Sequence, residues 1–438
     1  MTFLEKRERQ VFFGILAYIL LFGIIYSLYL GSNFRFIDEK DYYTIARNIA
    51  FTHQRSLDGV HPSAFHCPGY PFFLSIFIFF GANIVCLRFL NFIALTLSVY
   101  LLYRILKEEA PGLSGVIGCL LVVCYPVLFY TAGMLYPQTI AGTLLLGIMY
   151  LARSPHHSSY PRGKSSKGEG VPWIIGLLFG TLILFVPAII LLLVPFLGWM
   201  ILNEQTGQKW KKAVIIILVA LCMVGLWTLR NYLVFKSFVF VNSNSGVVLL
   251  LGNSENTTPN AGVNVDISKY SNEADRLGLD EIGRDRYYRE KALKFIRDNK
   301  VKALKLYFLK LLNYFNYRNE LGTKTETARW KDVLMLVTWG PLLILFLVRL
   351  LFAIWIPPHL RPLPHGERKL AFSKFEGLLI LLYFAGALIY ALFGTRIRYR
   401  LPFDFLLIMI VTMFLNRVLS LPRKKCAPFQ PMERKSVP

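Results

Sequence analysis

Long apolar runs alternate with short polar segments along this chain, and the runs set its plan. A stretch of about 18–25 mostly apolar residues can cross the ~30 Å hydrocarbon core of a bilayer as a helix. Such runs occupy residues 11–30, 84–106, 113–131, 134–152, 213–229, 332–353, 375–394 and 403–420, and a pair hinged near Pro187 fills 172–203. The pattern predicts an all-α polytopic membrane protein with about ten spans. Residues 70–80 are apolar but too short to span, and read as a helix lying at or dipping into the interface. Within 41–51 (DYYTIARNIAF), Tyr42, Ile45, Ala46 and Ile49 recur at helical spacing and predict a short amphipathic helix on the membrane surface. A second amphipathic helix is predicted over 280–317.

Composition agrees. The 438 residues are 55% hydrophobic and only 17% charged, with a mean hydropathy of +0.48. The formal charge of +23 would suggest nucleic acid in a soluble protein. Here Lys and Arg collect in short loops between runs, which is the positive-inside pattern, and no separate basic module carries interleaved aromatics. The charge therefore fixes an expected orientation, with both termini and the basic loops cytoplasmic, in a plasma (inner) membrane. Lys6, Arg7 and Arg9 precede the first run, which at about 20 residues is long for a signal peptide and is followed by no A-x-A-like site. Six cysteines (Cys67, Cys86, Cys119, Cys124, Cys222, Cys426) show no metal-ligand spacing.

On that topology, residues 31–71 lie outside. This stretch packs Asp38, Glu39 and Asp41 into four positions, then places His53, His61 and His66 before a Pro-Gly-Tyr-Pro. The acids admit two readings: solvated loop charges, or carboxylates that act as a general base toward a hydroxyl or amine, or hold a cation. Their position, about eight residues beyond a span, is where a lipid-linked substrate presents its headgroup. The histidine spacings match no tight metal motif, so no metal ligand is assigned. Arg396, Arg398 and Arg400 (GTRIRYRLPFD) are three arginines on the face where positive-inside would not place them, as is Arg230 beside Asn231. They fit snorkelling toward lipid phosphates or a phosphate clamp, since guanidinium pairs bidentately with phosphate oxygens. Asn256-Thr257-Thr258 is a glycosylation sequon on the same side. No Walker-type loop and no dinucleotide fingerprint occur, and no cofactor is indicated.

The segments DEKDYYTIARNIA and HCPGYPFFLSIF resemble the first external loop of GT-C fold membrane glycosyltransferases, in the branch of protein O-mannosyltransferase and lipid A aminoarabinose transferase relatives. Three further segments are similar to that family, in order: LRNYLVFKSFVFVNSNSGVVLLLGNSEN, EIGRDRYYREKALKFIRDNKVKALKLYFLKLLNYF and RIRYRLPFDFLLI. The resemblance implies a polyprenyl- or dolichyl-phosphate sugar donor and transfer on the external face, usually with inversion. It implies Asp38 as the catalytic acid position with Glu39 beside it, and Arg396, Arg398 and Arg400 near the donor phosphate. Many relatives carry a Glu where this chain has Gln138, so the resemblance does not carry their acceptor or cation handling over to this chain.

The expectation is a multi-pass glycosyltransferase with Asp38 and Glu39 catalytic and Asp41, Gln138, Arg230, Arg396, Arg398 and Arg400 binding substrate. Its partners are a lipid-linked sugar donor, a glycolipid, polysaccharide or protein acceptor, and membrane lipids, with no nucleic acid. Residues 1–230 form a transmembrane catalytic module with external loop 31–83, 231–330 an external segment with amphipathic helices, 331–420 the C-terminal spans, and 421–438 a basic cytoplasmic tail. The rival reading is a transporter or lipid flippase with an external polar vestibule. Transporters bury ionisable residues near the midplane, whereas the spans read here as nearly free of charge. A non-catalytic anchoring protein, docking through 231–330, is a second rival.

Overall fold

A computed structural model describes residues 3–153, 170–204, 207–260, 262, 264–318, 329–355 and 372–420. In chain order the helices are α1 (Phe3–Leu30), α2 (Ile37–Thr52), α3 (Gly69–Phe79), α4 (Ile84–Glu109), α5 (Ser114–Val123), α6 (Pro126–Ala132), α7 (Gln138–Ala152), α8 (Val171–Phe185), a 3-10 turn (Pro187–Leu192), α9 (Leu193–Asn203), α10 (Lys209–Phe235), α11 (Ser245–Gly252), α12 (Ser268–Arg276), α13 (Glu281–Asp298), α14 (Lys300–Tyr314), α15 (Arg329–Trp355), α16 (Lys374–Phe393) and α17 (Ile397–Leu419). The expected loop with His156 and His157, Cys426 and the basic tail 421–438 lie outside the described residues.

The protein is a multi-pass membrane protein, and among the described residues fewer helices than the ten expected spans reach the length a crossing needs. Among the described residues six helices are long and apolar enough to cross, α1, α4, α10, α15, α16 and α17, or seven if α5 and α6 form one broken span. Proline and irregular backbone account for the difference. Pro126 cannot continue α5, so α6 restarts from it at a 65° bend. Pro187 likewise ends α8, and a 3-10 turn leads into α9. The run expected at 134–152 is helical only from Gln138, and just before it the Gly133 and Met134 carbonyls and the Leu135 N–H bond to the side chains of Arg88, Asn91 and Glu39. The interfacial helix expected at 70–80 is α3. The amphipathic helix expected over 280–317 breaks at Asn299 into α13 and α14.

α17 runs through the middle of the bundle, and every residue from Arg400 to Phe414 is buried. A helix apolar all round belongs in a core, and one core cluster draws on α1, α4 to α10 and α14 to α17. The helices are not free of charge, contrary to the sequence reading. Arg349 Nε and Nη2 lie 2.7 and 3.0 Å from the Glu376 carboxylate, and Arg417 Nη1 lies 2.8 Å from it. Glu376 is fully buried. It sits at the start of α16, where Ser373 caps the helix by accepting from its backbone N–H at Oγ.

Segment 236–318 packs over one end of the bundle. Asp285 of α13 accepts from the Gly246 N–H at the start of α11 (2.5 Å). Lys310 of α14, 1% exposed, donates to the Gly252 carbonyl at the end of α11 (2.9 Å) and to Leu392 and Phe393 at the end of α16 (3.4 and 3.3 Å). Orphan carbonyls at two helix C-termini are thus satisfied by one ammonium. Burial pulls that ammonium down to about 8. The loop after α2 docks on the same segment. Glu281 accepts from the Ala64 N–H (2.7 Å) and Ser243 Oγ (2.5 Å), and Ser243 N–H donates to the Ala64 carbonyl (2.9 Å).

Removing one member of a buried ion network strands the others without water. Glu376→Gln is expected to cost about 3–5 kcal/mol by leaving Arg349 and Arg417 facing a neutral amide. Thermal melting of the purified protein in detergent measures it, and an unchanged melting temperature would show that the network adds no net stability.

Candidate functional site

The site grows from two adjacent acids on α2. Successive helical residues point about 100° apart, so Asp38 and Glu39 cannot share a direction. Both sit in the first turn, where the helix dipole favours negative charge.

Glu39 points inward and is fully buried. Its Oε1 lies 2.9 Å from Arg88 Nη1 and accepts from the Leu135 N–H (2.8 Å), while Oε2 accepts from the Arg35 N–H (2.7 Å). Arg88, equally buried, also donates to the carbonyls of Gly133 (2.5 Å) and Asn33 (2.8 Å). Asn91, one helical turn on, donates to the Met134 carbonyl (2.7 Å). The carboxylate expected to support catalysis is therefore closed off from solvent, and its lone pairs go to the fold. Sequence reading passed over Arg88. The signal was there: a charge four residues into an apolar helix requires a partner.

Asp38 points the other way and keeps 38% of its side chain exposed. Its Oδ2 lies 2.8 Å from Arg398 Nη1, at the first turn of α17. The last span was expected to begin at 403, with the arginines in a preceding loop; instead α17 begins at Ile397 and carries Arg398 and Arg400. Arg398 also donates to Tyr399 Oη (3.2 Å) and lies 5.4 Å from the Tyr136 ring centre, with its Nε unpartnered. Burial alone would raise the Asp38 carboxyl; the charge and hydrogen bond of Arg398, with His66 and Arg396 behind, outweigh it and hold the group below its usual value. Asp38 is thus an ionised, partly open carboxylate at neutral pH.

The other predicted residues divide. Asp41 lies 3.0 Å from Nε2 of the buried His66, whose ring centre is 4.7 Å from that of Tyr42. Burial raises the Tyr42 phenol well above its ordinary value. His53 ends α2 in a left-handed conformation, and His61 turns to Asp58 (2.7 Å), so the three histidines do not converge. Among the described residues no three His, Cys, Asp or Glu side chains are placed to hold a metal. Arg230 lies over the Trp227 ring at 5.0 Å, and Arg55 of the α2–α3 loop over the same ring at 5.5 Å. Arg55 in turn donates to the carbonyls of Ser63 and His66. Arg230 and Arg55 thus share the Trp227 ring, and Arg55, which the sequence reading did not single out, is buried. Arg396 lies against Gly262, where any side chain would collide with its guanidinium.

Arg400 does not belong to this face. It is fully buried, pairs with Asp404 at 3.1 Å, donates to the carbonyls of Tyr314 (2.8 Å) and Asn316 (2.7 Å), and stacks 3.5 Å from the Trp339 ring centre. Expected as a phosphate ligand, it is instead saturated by the protein. Gln138, also buried, lines a small, mainly apolar pocket with Leu95, Leu128, Thr131, Thr139, Leu401 and Phe405, and its Oε1 has no partner there.

The arrangement is a polar face with one ionised carboxylate, its guanidinium counter-ion, and the charge of Arg396 nearby. It can accept a proton at Asp38 and neutralise an anion at Arg398. The strength of the buried pair beneath it is testable. Arg88→Met strands Glu39, and adding Glu39→Gln is expected to restore part of the loss. A double-mutant cycle by thermal melting should give a coupling of about 0.5–3 kcal/mol; strictly additive losses would mean that the two side chains act independently.

Residues 61–228 match the family of dolichyl-phosphate-mannose-protein mannosyltransferases, so the resemblance read from the sequence holds over that segment. The match begins after Asp38 and ends before Arg230. No curated protein sequence matches the chain. Among solved structures, the oligosaccharyltransferase AglB from Archaeoglobus fulgidus, in complex with an inhibitory peptide and a dolichol-phosphate, aligns over 92% of this chain and 50% of its own, with a TM-score of 0.52 and 16% identity. The same archaeon's oligosaccharyltransferase with Zn and sulfate aligns over 92% and 48%, with a TM-score of 0.51 and 16% identity. ArnT from Cupriavidus metallidurans in the apo state aligns over 92% and 76%, with a TM-score of 0.41 and 10% identity. This chain spans about half the length of the oligosaccharyltransferase, and at that identity the likeness establishes the fold alone, a GT-C-type helical membrane fold.

Proposed function

We propose that the protein is a membrane glycosyltransferase that moves a sugar from a polyprenyl-phosphate donor to a nucleophilic hydroxyl or amine on an envelope acceptor. The observation that carries this reading is the Asp38–Arg398 pair: a partly exposed carboxylate 2.8 Å from a guanidinium, with Arg396 close enough to act on the same carboxyl. The family match over 61–228 supports it from an independent segment of the chain.

The chemistry follows from what each group can do. The acceptor oxygen or nitrogen attacks the anomeric carbon as the bond from that carbon to the phosphate oxygen breaks. The acceptor proton passes to Asp38, and the electron pair of the broken bond stays with the lipid phosphate. A single displacement of this kind inverts the anomeric centre. Because the leaving group is already a weak base, it needs charge neutralisation more than a proton, and Arg398 supplies that, with Arg396 and Arg230 on the same side. Arg398 has two partners in this scheme. With the site empty it holds Asp38; when the donor phosphate arrives it has a stronger anion to face, and Asp38 regains basicity. Glu39 and Arg88 act as positioning residues, since they fix the first turn of α2 without touching the reacting atoms. The loop 31–83 and segment 231–330, which meet at Glu281, would lie on the external side, where the lipid headgroup is presented.

Two outcomes are expected. Asp38→Asn should leave melting nearly unchanged and lower transfer from a radiolabelled polyprenyl-phosphate sugar by about 10²–10⁴-fold; near-normal transfer would remove Asp38 from the role of base. Arg398→Gln takes away the charge that depresses the Asp38 carboxyl and leaves the burial that raises it. The sign is therefore upward: the acidic limb of the pH profile of kcat/KM, set by loss of the ionised base, should move to higher pH. A limb that stays in place while kcat/KM falls would mean that Asp38 is not the titrating group.

A further inference from the structure

α14 has an outward face that nothing among the described residues covers. Its inward face is complete: Ala303, Leu306, Lys310 and Tyr314 are buried, and Lys310 and Tyr307 bond to carbonyls at the end of α16. Directly opposite, at spacings of three and four residues, stand Val301, Leu304, Phe308 and Leu312, with exposures from 54% for Phe308 to 84% for Val301. A helix whose inner side packs and whose outer side is apolar does not face water. Nor is it a span. Its 15 residues rise only about 22 Å, and it is not among the helices long and apolar enough to cross. Its inward face packs on α16, a helix long and apolar enough to cross, at whose C-terminal end Lys310 meets the Leu392 and Phe393 carbonyls, so α14 lies beside one end of a span. Lys300 and Lys305 are exposed at the N-terminal half of the helix. Lys302 is turned aside to the Glu255 carbonyl (3.2 Å).

We propose that α14 is a lipid-docking surface: Val301, Leu304, Phe308 and Leu312 rest in the acyl chains just beneath the headgroups, and Lys300 and Lys305 bind the phosphates of acidic phospholipids in the surrounding bilayer. Apolar side chains with flanking lysines are the chemistry that an anionic membrane interface recognises. The C-terminal end of α14 is tied to α17, since the carbonyl of Tyr314, its last residue, and that of Asn316 just beyond accept from the buried Arg400. The proposal does not depend on the glycosyltransferase reading.

The test uses the full chain in vesicles, with an environment-sensitive fluorescent amino acid replacing Phe308. Lipids spin-labelled near the headgroup should quench it more than lipids labelled near the chain end, and aqueous iodide should quench it weakly. Strong iodide quenching with little from lipid would overturn the proposal in favour of a water- or protein-covered face. Strongest quenching from the deep label would overturn it in favour of an ordinary mid-bilayer surface. Brominated phosphatidylglycerol should quench more than brominated phosphatidylcholine, by up to roughly fivefold per lysine. That preference should vanish in K300Q/K305Q. A preference unchanged in the double variant, or absent from the parent, would refute the role of the lysines. The same vesicles assayed for sugar transfer separate this result from the activity.

Discussion

The buried pair of Glu39 and Arg88 is the constraint on which the rest of this site depends. A charge taken out of water is costly unless its partner and its remaining hydrogen bonds are all supplied. Here they are supplied by three separate pieces of chain: the entry to α2, the helix α4, and the irregular residues between α6 and α7. Those residues cannot be helical and also serve Glu39 and Arg88, so α7 starts late. The same bonds fix the first turn of α2. With Glu39 turned inward, the geometry of a helix leaves Asp38 facing out, toward α17.

A second buried pair sets the other half of the site. Arg400 and Asp404 sit one turn apart on α17, and Arg400 donates to the Tyr314 and Asn316 carbonyls at the end of α14 and to the Tyr125 hydroxyl, and lies over the Trp339 ring. Pairs of this kind contribute little net stability and much geometry. They determine the rotation of α17 about its own axis, and so where Arg398 points. Asp38 and Arg398, 360 residues apart in sequence, meet because each lies near a buried ionic anchor, one residue from it in α2 and two in α17. The glycosyltransferase reading thus rests on one pair of side chains aimed by two others. The charges within the helices no longer argue against a transporter by their absence; they are spent on structure.

How much of this was legible beforehand varies with the kind of information. The periodicity of 41–51 and the shortness of 70–80 were enough to place α2 and α3. Long apolar runs were enough for α1, α4, α10, α15 and α16. The run at 134–152 misled, because its first residues are apolar but their backbone is bonded to side chains from elsewhere. α17 began earlier than hydropathy indicated, since Arg398 and Arg400 depress the average while each is neutralised by a carboxylate. Asp38 and Arg398 were both singled out, but as members of groups of three. Nothing local distinguished Asp38 from Glu39, or Arg398 from Arg400, as each pair has the same chemistry.

By itself the sequence determined that this is a helical membrane protein and roughly which runs are buried, because hydrophobic burial depends on composition and period, both local quantities. It also confined the polar chemistry to the acidic segment after the first run and the arginines before the last. Which acid is open and which is closed, which arginine reaches a partner at the surface and which is saturated inside, and that Arg88 lies beneath the site at all, were decided only by the tertiary structure. The physical reason is that the state of a charged group depends on the distance to its counter-charge and on access to water. Both are set by residues far away in the chain.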